Sequence, residues 1–345
     1  MVSRLAHRPR TEPHFSKLGS VANILVTGGA GYIGSHTVFF LRKSGHRVLV
    51  ADNLSRGRAR AVPEGLLRKV ELRDAAGLAA LFKSERFDAV IHFAAFIAVG
   101  ESSQIPEVYF SNNVGGSISL FEAMLDAGVK KLVFSSTAAA YGIPKSSPIE
   151  ETQPSAPINP YGETKVMVEQ ILETLDRYRQ LRSIRLRYFN ACGSAPEAGL
   201  GECHEPETHL IPLLLRAVMS GKPMTLFGDD YPTPDGTCIR DYIHVSDLSE
   251  AHVIAVEHLL NGGASGVFNV GSGQGHSVKE VVASVERVTG SKVPLIVGPR
   301  REGDPPSLVA DSQKLQRVLG WKPTRVDLDE IVRDAWEFAR KGSCG

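Results

Sequence analysis

A doubly wound α/β fold, with a parallel sheet covered on both faces and a smaller C-terminal substrate-binding lobe, is what this sequence predicts. Three observations carry that prediction. Short β-branched runs alternate with stretches of helical spacing through the first half of the chain. A cluster of glycines joins the first such strand to the first helix. Beyond Asn190 the composition shifts to a Gly/Pro/Glu-rich loop followed by a new set of helices.

The elements follow in order. VANILVT (21–27), HRVLVAD (46–52), FDAVIHFAA (87–95), KKLVFSS (130–136) and RSIRLRYFN (182–190) read as strands, with KVELRD (69–74) a further short one. Between them YIGSHTVFFLRKSG, AAGLAALFKSE and GSISLFEAMLDAG carry helical spacing. Buried strands alternating with helices argue a parallel sheet with both faces covered. After the loop ACGSAPEAGLGECHEPETH come predicted helices near 209–220, from Ser246 to about Leu260, and near 277–289. We therefore divide the chain into a basic tail (1–20), expected to be disordered, a dinucleotide-binding unit (21–190) and a C-terminal lobe (191–345), some segments of which return to the main sheet. A ligand cleft is expected beyond the carboxyl ends of the strands.

Composition excludes several classes. With 345 residues, 42% hydrophobic and 22% charged, the chain is an ordinary globular enzyme in size and balance. A net charge of +1 offers no bulk attraction to nucleic acid or to a membrane surface. Cys192, Cys203, Cys238 and Cys344 are dispersed and form no C-x-x-C pair, so reduced thiols and a cytoplasmic location are expected. No apolar stretch reaches membrane-spanning length, and residues 1–20 lack the apolar core of a secretion signal.

NILVTGGAGYIGSH is the strongest local signal. Gly29, Gly31 and Gly34 satisfy G-x-G-x-x-G, and Gly28, Gly31 and Gly34 the looser seven-residue spacing. The first glycines permit a tight turn, Gly31 lets backbone approach a pyrophosphate, and Gly34 lets helix and strand pack closely. The helix N-terminus, at Tyr32 and Ile33, offers free N–H groups to the phosphates. Ordinary turns also use glycines, but here a strand precedes, a helix follows, and Asp52 stands about 20 residues on, as a Rossmann-type site requires. That acid suits ribose hydroxyls and repels a 2′-phosphate, which favours NAD over NADP; Arg56 and Arg58 nearby read as solvated loop charges.

PYGETK (160–165) places Tyr161 and Lys165 one turn apart on one helix face. Any exposed helix can carry that spacing, so the pair gains meaning only from a nicotinamide beside it. A phenolate at neutral pH needs the pKa to fall by roughly three, about 4 kcal/mol. A cation at ~4 Å supplies that much at an effective dielectric near 20. Lys165 with the positive ring of NAD⁺ is thus expected to make Tyr161 a base. Thr137, at the end of FSST, could share a hydrogen bond with the reacting oxygen, whereas Ser135 and Ser136 read as turn caps. Tyr141 lacks a lysine one turn on and ranks below Tyr161. Cys192, Cys203, His204, His209 and His244 form no tight zinc-type pair, so no metal is expected and core or loop roles are assigned to them.

TGGAGYIGSH, DNLSRG, IHFAA with AVGES, SNNVGG, FSSTAAAYG, PYGETK, RYFNACG, LFGDDYPTPDGTCIRDYIHV and PRREGD together resemble the UDP-glucose 4-epimerase family of the extended short-chain dehydrogenase/reductases. The matches run from about Asn23 to Trp321. The resemblance implies a tightly held NAD that is reduced and reoxidised within one turnover, a UDP sugar as substrate, and a homodimer. It implies that Tyr161 takes the proton of the sugar O4 hydroxyl, with Lys165 and Thr137 assisting. Asp52 and Asn53 match adenosine-ribose contacts, and Glu71 and Leu72 an adenine-side segment. Phe93, Ala94, Asn112 and Tyr188 match further cofactor positions. Asn190, His209, Leu210, Phe227, Arg240, Tyr242, Arg301 and Asp304 match the uridine diphosphate site, two arginines suiting a diphosphate and an aromatic with an apolar side chain suiting uracil.

Three positions depart from the family pattern. Ile97 stands where a lysine often contacts the cofactor, Glu71 where an aspartate is usual, and Leu308 where side-chain bulk gates the sugar C2 substituent, leaving N-acetyl sugars open. An ion pair of Arg240 with Asp241 or Asp247 is an alternative to its diphosphate role. The rival functions are 4-epimerisation of another UDP sugar (N-acetylhexosamine, pentose or uronate), a nucleotide-sugar dehydratase, and a non-catalytic NAD-binding regulator. Ala138-Ala139-Ala140 offers no acid for dehydration, and binding alone needs no Tyr161, Lys165 and Thr137 together.

Overall fold

The computed structural model describes residues 21–301 and 304–342, so the expectation for residues 1–20 lies outside the described residues. The N-terminal part runs β1 (Asn23–Thr27), α1 (Tyr32–Lys43), β2 (Arg47–Asp52), β3 (Leu67–Lys69), α2 (Ala75–Ser84), β4 (Ala89–His92), α3 (Val99–Gln104), α4 (Pro106–Tyr109), α5 (Gly116–Asp126), β5 (Lys131–Thr137), α6 (Pro160–Arg179) and β6 (Arg182–Tyr188). There follow β7 (Asn190–Cys192), α7 (Leu210–Ser220), β8 (Met224–Phe227), β9 (Ile239–His244), α8 (Val245–Leu260), β10 (Gly266–Val270) and β11 (Gly275–Ser277). The chain ends with α9 (Val278–Thr289), β12 (Leu295–Gly298), β13 (Ser307–Leu308), α10 (Gln313–Leu319) and α11 (Leu328–Arg340).

The main sheet is seven-stranded and parallel in the order β10-β6-β5-β4-β1-β2-β3. Side chains alternate across it, as strand geometry demands. Ile24 and Val26 face one layer with Phe40 and Leu41 of α1 and Val256 and Leu259 of α8. Leu25 faces the other, with Leu78 of α2, Leu120 and Phe121 of α5, and Val168 and Leu172 of α6. Each such side chain, fully buried, contributes about 1.5–3 kcal/mol. A second, four-stranded sheet holds β11, β9 and β13, with β7 also on β9, and β8 pairs with β12. The lobe's core joins Ile211 and Leu214 of α7, Val281 and Val285 of α9, and Ile331 and Val332 of α11.

Four expectations are revised. RSIRLRYFN does not run as one strand: β6 ends at Tyr188 and β7 begins at Asn190 in the other sheet. KVELRD is not a strand, since β3 stops at Lys69; the Asp74 amide bonds back to Glu71 O at 3.0 Å and Asp74 then caps α2. GVFNV, unassigned in the sequence, is the β10 edge of the main sheet. Cys192 and Cys238 are free and buried, but Cys203 is disulfide-bonded, which dispersed spacing could not reveal. No helix among the described residues is long and apolar enough to cross a membrane.

Candidate active site

The glycine turn is built by close approach. Gly28 has φ of +72°, and a Cβ there would lie 2.5 Å from the Ala94 backbone nitrogen. At Gly34 a Cβ would lie 2.3 Å from Gly28 O, so α1 can seat on the turn only without a side chain. At Gly31, by contrast, a Cβ would meet only Gly28 O at 3.3 Å. The start of α1 has no side-chain cap and no acidic residue in its first turn. An open, uncapped helix N-terminus beside Gly31 fits a dinucleotide pyrophosphate.

Asp52, at the end of β2, is buried, and burial raises its pKa. It accepts the Ala30 amide at 3.0 Å and the Leu54 amide at 2.8 Å, which ties the turn to the adjoining loop. Asn53 donates to Glu71 at 2.9 Å, and Arg73 also donates to Glu71, so the longer carboxylate is held in place and kept below its usual pKa by these bonds against burial. The Leu72 side chain packs in the core against Gly116, which leaves its backbone for any ligand. Phe93 stacks on His252 with ring centroids 4.6 Å apart, and Ala94 backs Gly28. Ile33 packs against the core, while Tyr32 donates its hydroxyl to Gly193 O at 2.7 Å. Asn112 lies in a widened helical turn, 110–115, and donates to Asn113 Oδ1 at 3.0 Å. Ile97 is exposed.

The start of α6 positions the reactive pair. Asn159 accepts the Gly162 amide at 2.8 Å and Pro160 occupies the first turn, a strong helix start. A Cβ at Gly162 would lie 2.8 Å from Ala139 O, so the missing side chain lets α6 sit directly on the turn that follows β5. That contact brings Tyr161 close to Thr137, whose side chain acts to lower the phenol's pKa. Thr137 also accepts the Ala139 amide at 3.1 Å, and Ser102 accepts the Tyr161 amide at 3.2 Å. Lys165 Nζ lies 5.9 Å from the centre of the Tyr161 ring and donates to Ser135 O at 2.8 Å. Tyr188 completes the group, its hydroxyl 2.8 Å from Ser135 Oγ.

Burial dominates the electrostatics of the pair. Burial pushes the Tyr161 phenol far above its ordinary range, and the nearby Tyr188 hydroxyl adds to this while Thr137 opposes it. Burial also pulls Lys165 down to about 7, against the attraction of Glu169. The lysine by itself does not offset that burial, so the expected shift requires the lysine and the oxidised cofactor together. Tyr141, the rival base, is a core residue: its hydroxyl meets Asn269 Oδ1 at 2.7 Å and Arg187 covers its ring.

Sequence reading missed Glu169, one turn beyond Lys165. It forms a buried ion pair with Arg187 and accepts from Ser136 Oγ, although i+4 spacing from Lys165 was a usable signal. It also missed Asn113, which clamps Phe96 through both its backbone groups and reaches Thr164 at 3.1 Å.

The expected nucleotide-site residues gather in two places. Asn190, His209, Leu210 and Tyr242 line a cavity of about 40 Å³ with Glu202 and Cys192. Arg301 and Asp304 line a more open one of about 260 Å³ with Arg300 and Tyr231. Arg301 lies over the Phe227 ring, 4.1 Å from its centre. Arg240 pairs with Asp304, not with Asp241 or Asp247. Asp241 instead accepts from Ser272, Gly273 and Ala310, and Asp247 from Thr324 and Arg325. Leu308, on β13, is registered opposite Arg240.

Comparison with known proteins places this geometry. Residues 24–271 match the NAD dependent epimerase/dehydratase family. A UDP-glucose 4-epimerase of Halalkalibacterium halodurans is 49% identical over 319 residues, 92% of this chain and 96% of that protein. The crystal structure of UDP-glucose 4-epimerase from Brucella ovis in complex with NAD aligns with a TM-score of 0.89 at 46% identity, over 92% of this chain and 98% of that one. A UDP-glucose-4-epimerase from Stenotrophomonas maltophila, with bound NAD and formylated UDP-arabinopyranose, aligns with a TM-score of 0.90 at 43% identity, over 93% and 99%.

Proposed function

Because the chain belongs to the NAD dependent epimerase/dehydratase family, we propose that it interconverts UDP-galactose and UDP-glucose at C4, using NAD held through the whole cycle. The chemistry that NAD supplies when bound is a reversible hydride acceptor at the sugar C4. Gly28, Gly31 and Gly34, with the α1 start at Tyr32 and Ile33, hold its pyrophosphate; Asp52 and Asn53 hold its adenosine ribose. Glu71, Leu72, Phe93, Ala94, Asn112 and Tyr188 flank it.

The observation that carries the reading is the seating of α6 on the turn after β5, which joins Tyr161 to Thr137 with Lys165 one turn behind. Tyr161 takes the proton from the O4 hydroxyl on oxidation and returns it on reduction. Thr137 hydrogen-bonds both the phenol and the sugar oxygen, and so fixes the line of proton transfer. Lys165 opposes the burial that keeps the phenol protonated, jointly with the positive charge of the oxidised cofactor. Arg240 and Arg301 neutralise the diphosphate, Phe227 and Leu210 bracket uracil, and Asn190, His209, Tyr242 and Asp304 orient the nucleotide. Asp304 performs that role while paired to Arg240.

The test is incubation of the purified protein with a panel of UDP sugars, no cofactor added, and chromatography of the C4 epimers. Conversion of UDP-galactose to UDP-glucose is expected; inertness across the panel refutes the reading. Whether Leu308, of middling bulk and half-buried against the Tyr141–Ala310 cluster, admits UDP-N-acetyl sugars is read by the same panel. The same proposal includes division near residue 190, cytoplasmic residence, and a homodimer, supported by exposed Val108, Ile118 and Met167 on α4, α5 and α6.

A further inference from the structure

The loop between β7 and α7 carries Glu202, His204, Glu207 and His209, an E-x-H-x-x-E-x-H spacing that the reactions above leave partly unused. One donor atom from each of the four lies within 4.8 Å of the other three. Both imidazoles turn their Nδ1 atoms inward. Glu202 Oε1 is 3.0 Å from His204 Nδ1 and 2.6 Å from His209 Nδ1; Glu207 Oε1 is 3.8 Å and 3.3 Å from the same two. Four ligands at zinc bond lengths of about 2.1 Å stand about 3.4 Å apart in a tetrahedron, and the observed separations bracket that value.

Two further observations distinguish this cluster from an ordinary ion-pair network. His209 Nδ1 is buried and meets no carboxylate oxygen in good hydrogen-bond alignment, although two lie 2.6 Å and 3.3 Å away. Close contact without hydrogen-bond alignment is what two ligands of a common cation show. Glu207, whose side chain is fully buried, takes the Thr208 and His209 amides on Oε1, while its Oε2 is buried with no partner. An unpartnered buried carboxylate oxygen is costly unless a cation neutralises it.

We propose that Glu202, His204, Glu207 and His209 bind one divalent transition-metal ion, zinc by preference, as a structural site. Two neutral imidazoles and two carboxylates give such an ion a neutral, four-coordinate shell, and the mixed nitrogen and oxygen donors suit zinc over magnesium or calcium. The ion's place in the fold defines its role. His204 packs edge-on to Tyr32 with centroids 6.1 Å apart, and His209 immediately precedes α7. Metal binding would therefore fasten the long loop to the glycine turn on one side and set the start of α7, with Leu210, on the other. Such a site does not require the ion to touch the sugar.

The test is elemental analysis of the full chain purified from zinc-supplemented medium, followed by chelation and reloading with Co²⁺. One zinc per chain and the intense visible absorption of four-coordinate Co²⁺ are expected. His204→Ala should lower bound zinc to roughly a tenth or less, and His258→Ala, outside the cluster, should leave it unchanged. If His204→Ala fails to fold, Glu207→Gln and the wild-type Co²⁺ spectrum carry the test. Substoichiometric zinc with no Co²⁺ signal, or undiminished zinc in a folded His204→Ala protein, overturns the proposal. Metal content is read without turnover, so this result stands apart from the epimerase assay.

Discussion

Lys165→Met is expected to stabilise the protein while removing its activity. Lys165 is 2% exposed, and burial takes its pKa from 10.5 to about 7. That fall corresponds to about 5 kcal/mol of destabilisation at or below pH 7. Methionine fills similar volume without a charge, but forfeits the bond to Ser135 O and the contact of Nζ with the Phe134 ring, about 2 kcal/mol together. The net expectation is a gain of about 3 kcal/mol. The sign follows from proton counting. Between pH 7 and 10.5 the unfolded chain binds a proton at Lys165 that the folded chain does not, so wild-type stability rises with pH through that window. The methionine variant lacks this rise, and its advantage must shrink towards pH 10.5. Urea denaturation of both proteins at pH 7 and at pH 10 measures it, with epimerase turnover assayed in parallel. A variant no more stable than wild type at pH 7, or an advantage that does not decline with pH, refutes the reasoning.

Tyr161→Phe should lower turnover by about 10²–10⁴ while bound NAD, read by absorbance after denaturation, stays stoichiometric; equal turnover removes the phenol from the mechanism. Gly34→Ala places a methyl 2.3 Å from Gly28 O and should cost about 3 kcal/mol or more, together with dinucleotide binding, measured by thermal unfolding with and without NAD. Glu169→Gln leaves Arg187 buried without its countercharge, a loss of about 3–5 kcal/mol by denaturant titration. The same change removes the charge that raises the Lys165 pKa, so that group should titrate lower still, seen as a shift of the alkaline limb of the pH–rate profile to lower pH.

What could be read from sequence was what local geometry enforces. Gly28 and Gly34 announce themselves because no side chain fits where they stand, and Asn159-Pro160 announces the start of α6 because both residues act within one turn. Pairings made across the fold left no such trace. Arg240 finds Asp304, 64 residues away, in place of its sequence neighbours. β10 takes its place from pairing with β6, not from any strong pattern of its own. The break at Phe189 is equally silent, because Tyr188, Phe189 and Asn190 all suit a strand and only the sheet each strand joins separates them. A histidine–carboxylate spacing along an irregular loop has no periodicity to mark it, so the gathering of Glu202 and Glu207 on His204 and His209 left no trace beyond loop roles for the two histidines.

That break at Phe189 has a mechanical corollary. One residue separates the strand that brings Tyr188 to the proton-transfer group from the strand that brings Asn190 to the nucleotide pocket. On the other side β9 passes into α8 with no intervening residue, and α8 is clamped to the main sheet. Two such short tethers hold the proton-transfer group and the nucleotide pocket in fixed register along the chain. A residue inserted or removed at Phe189 would therefore shift Tyr188 against Asn190, and with them the reacting group against the nucleotide pocket.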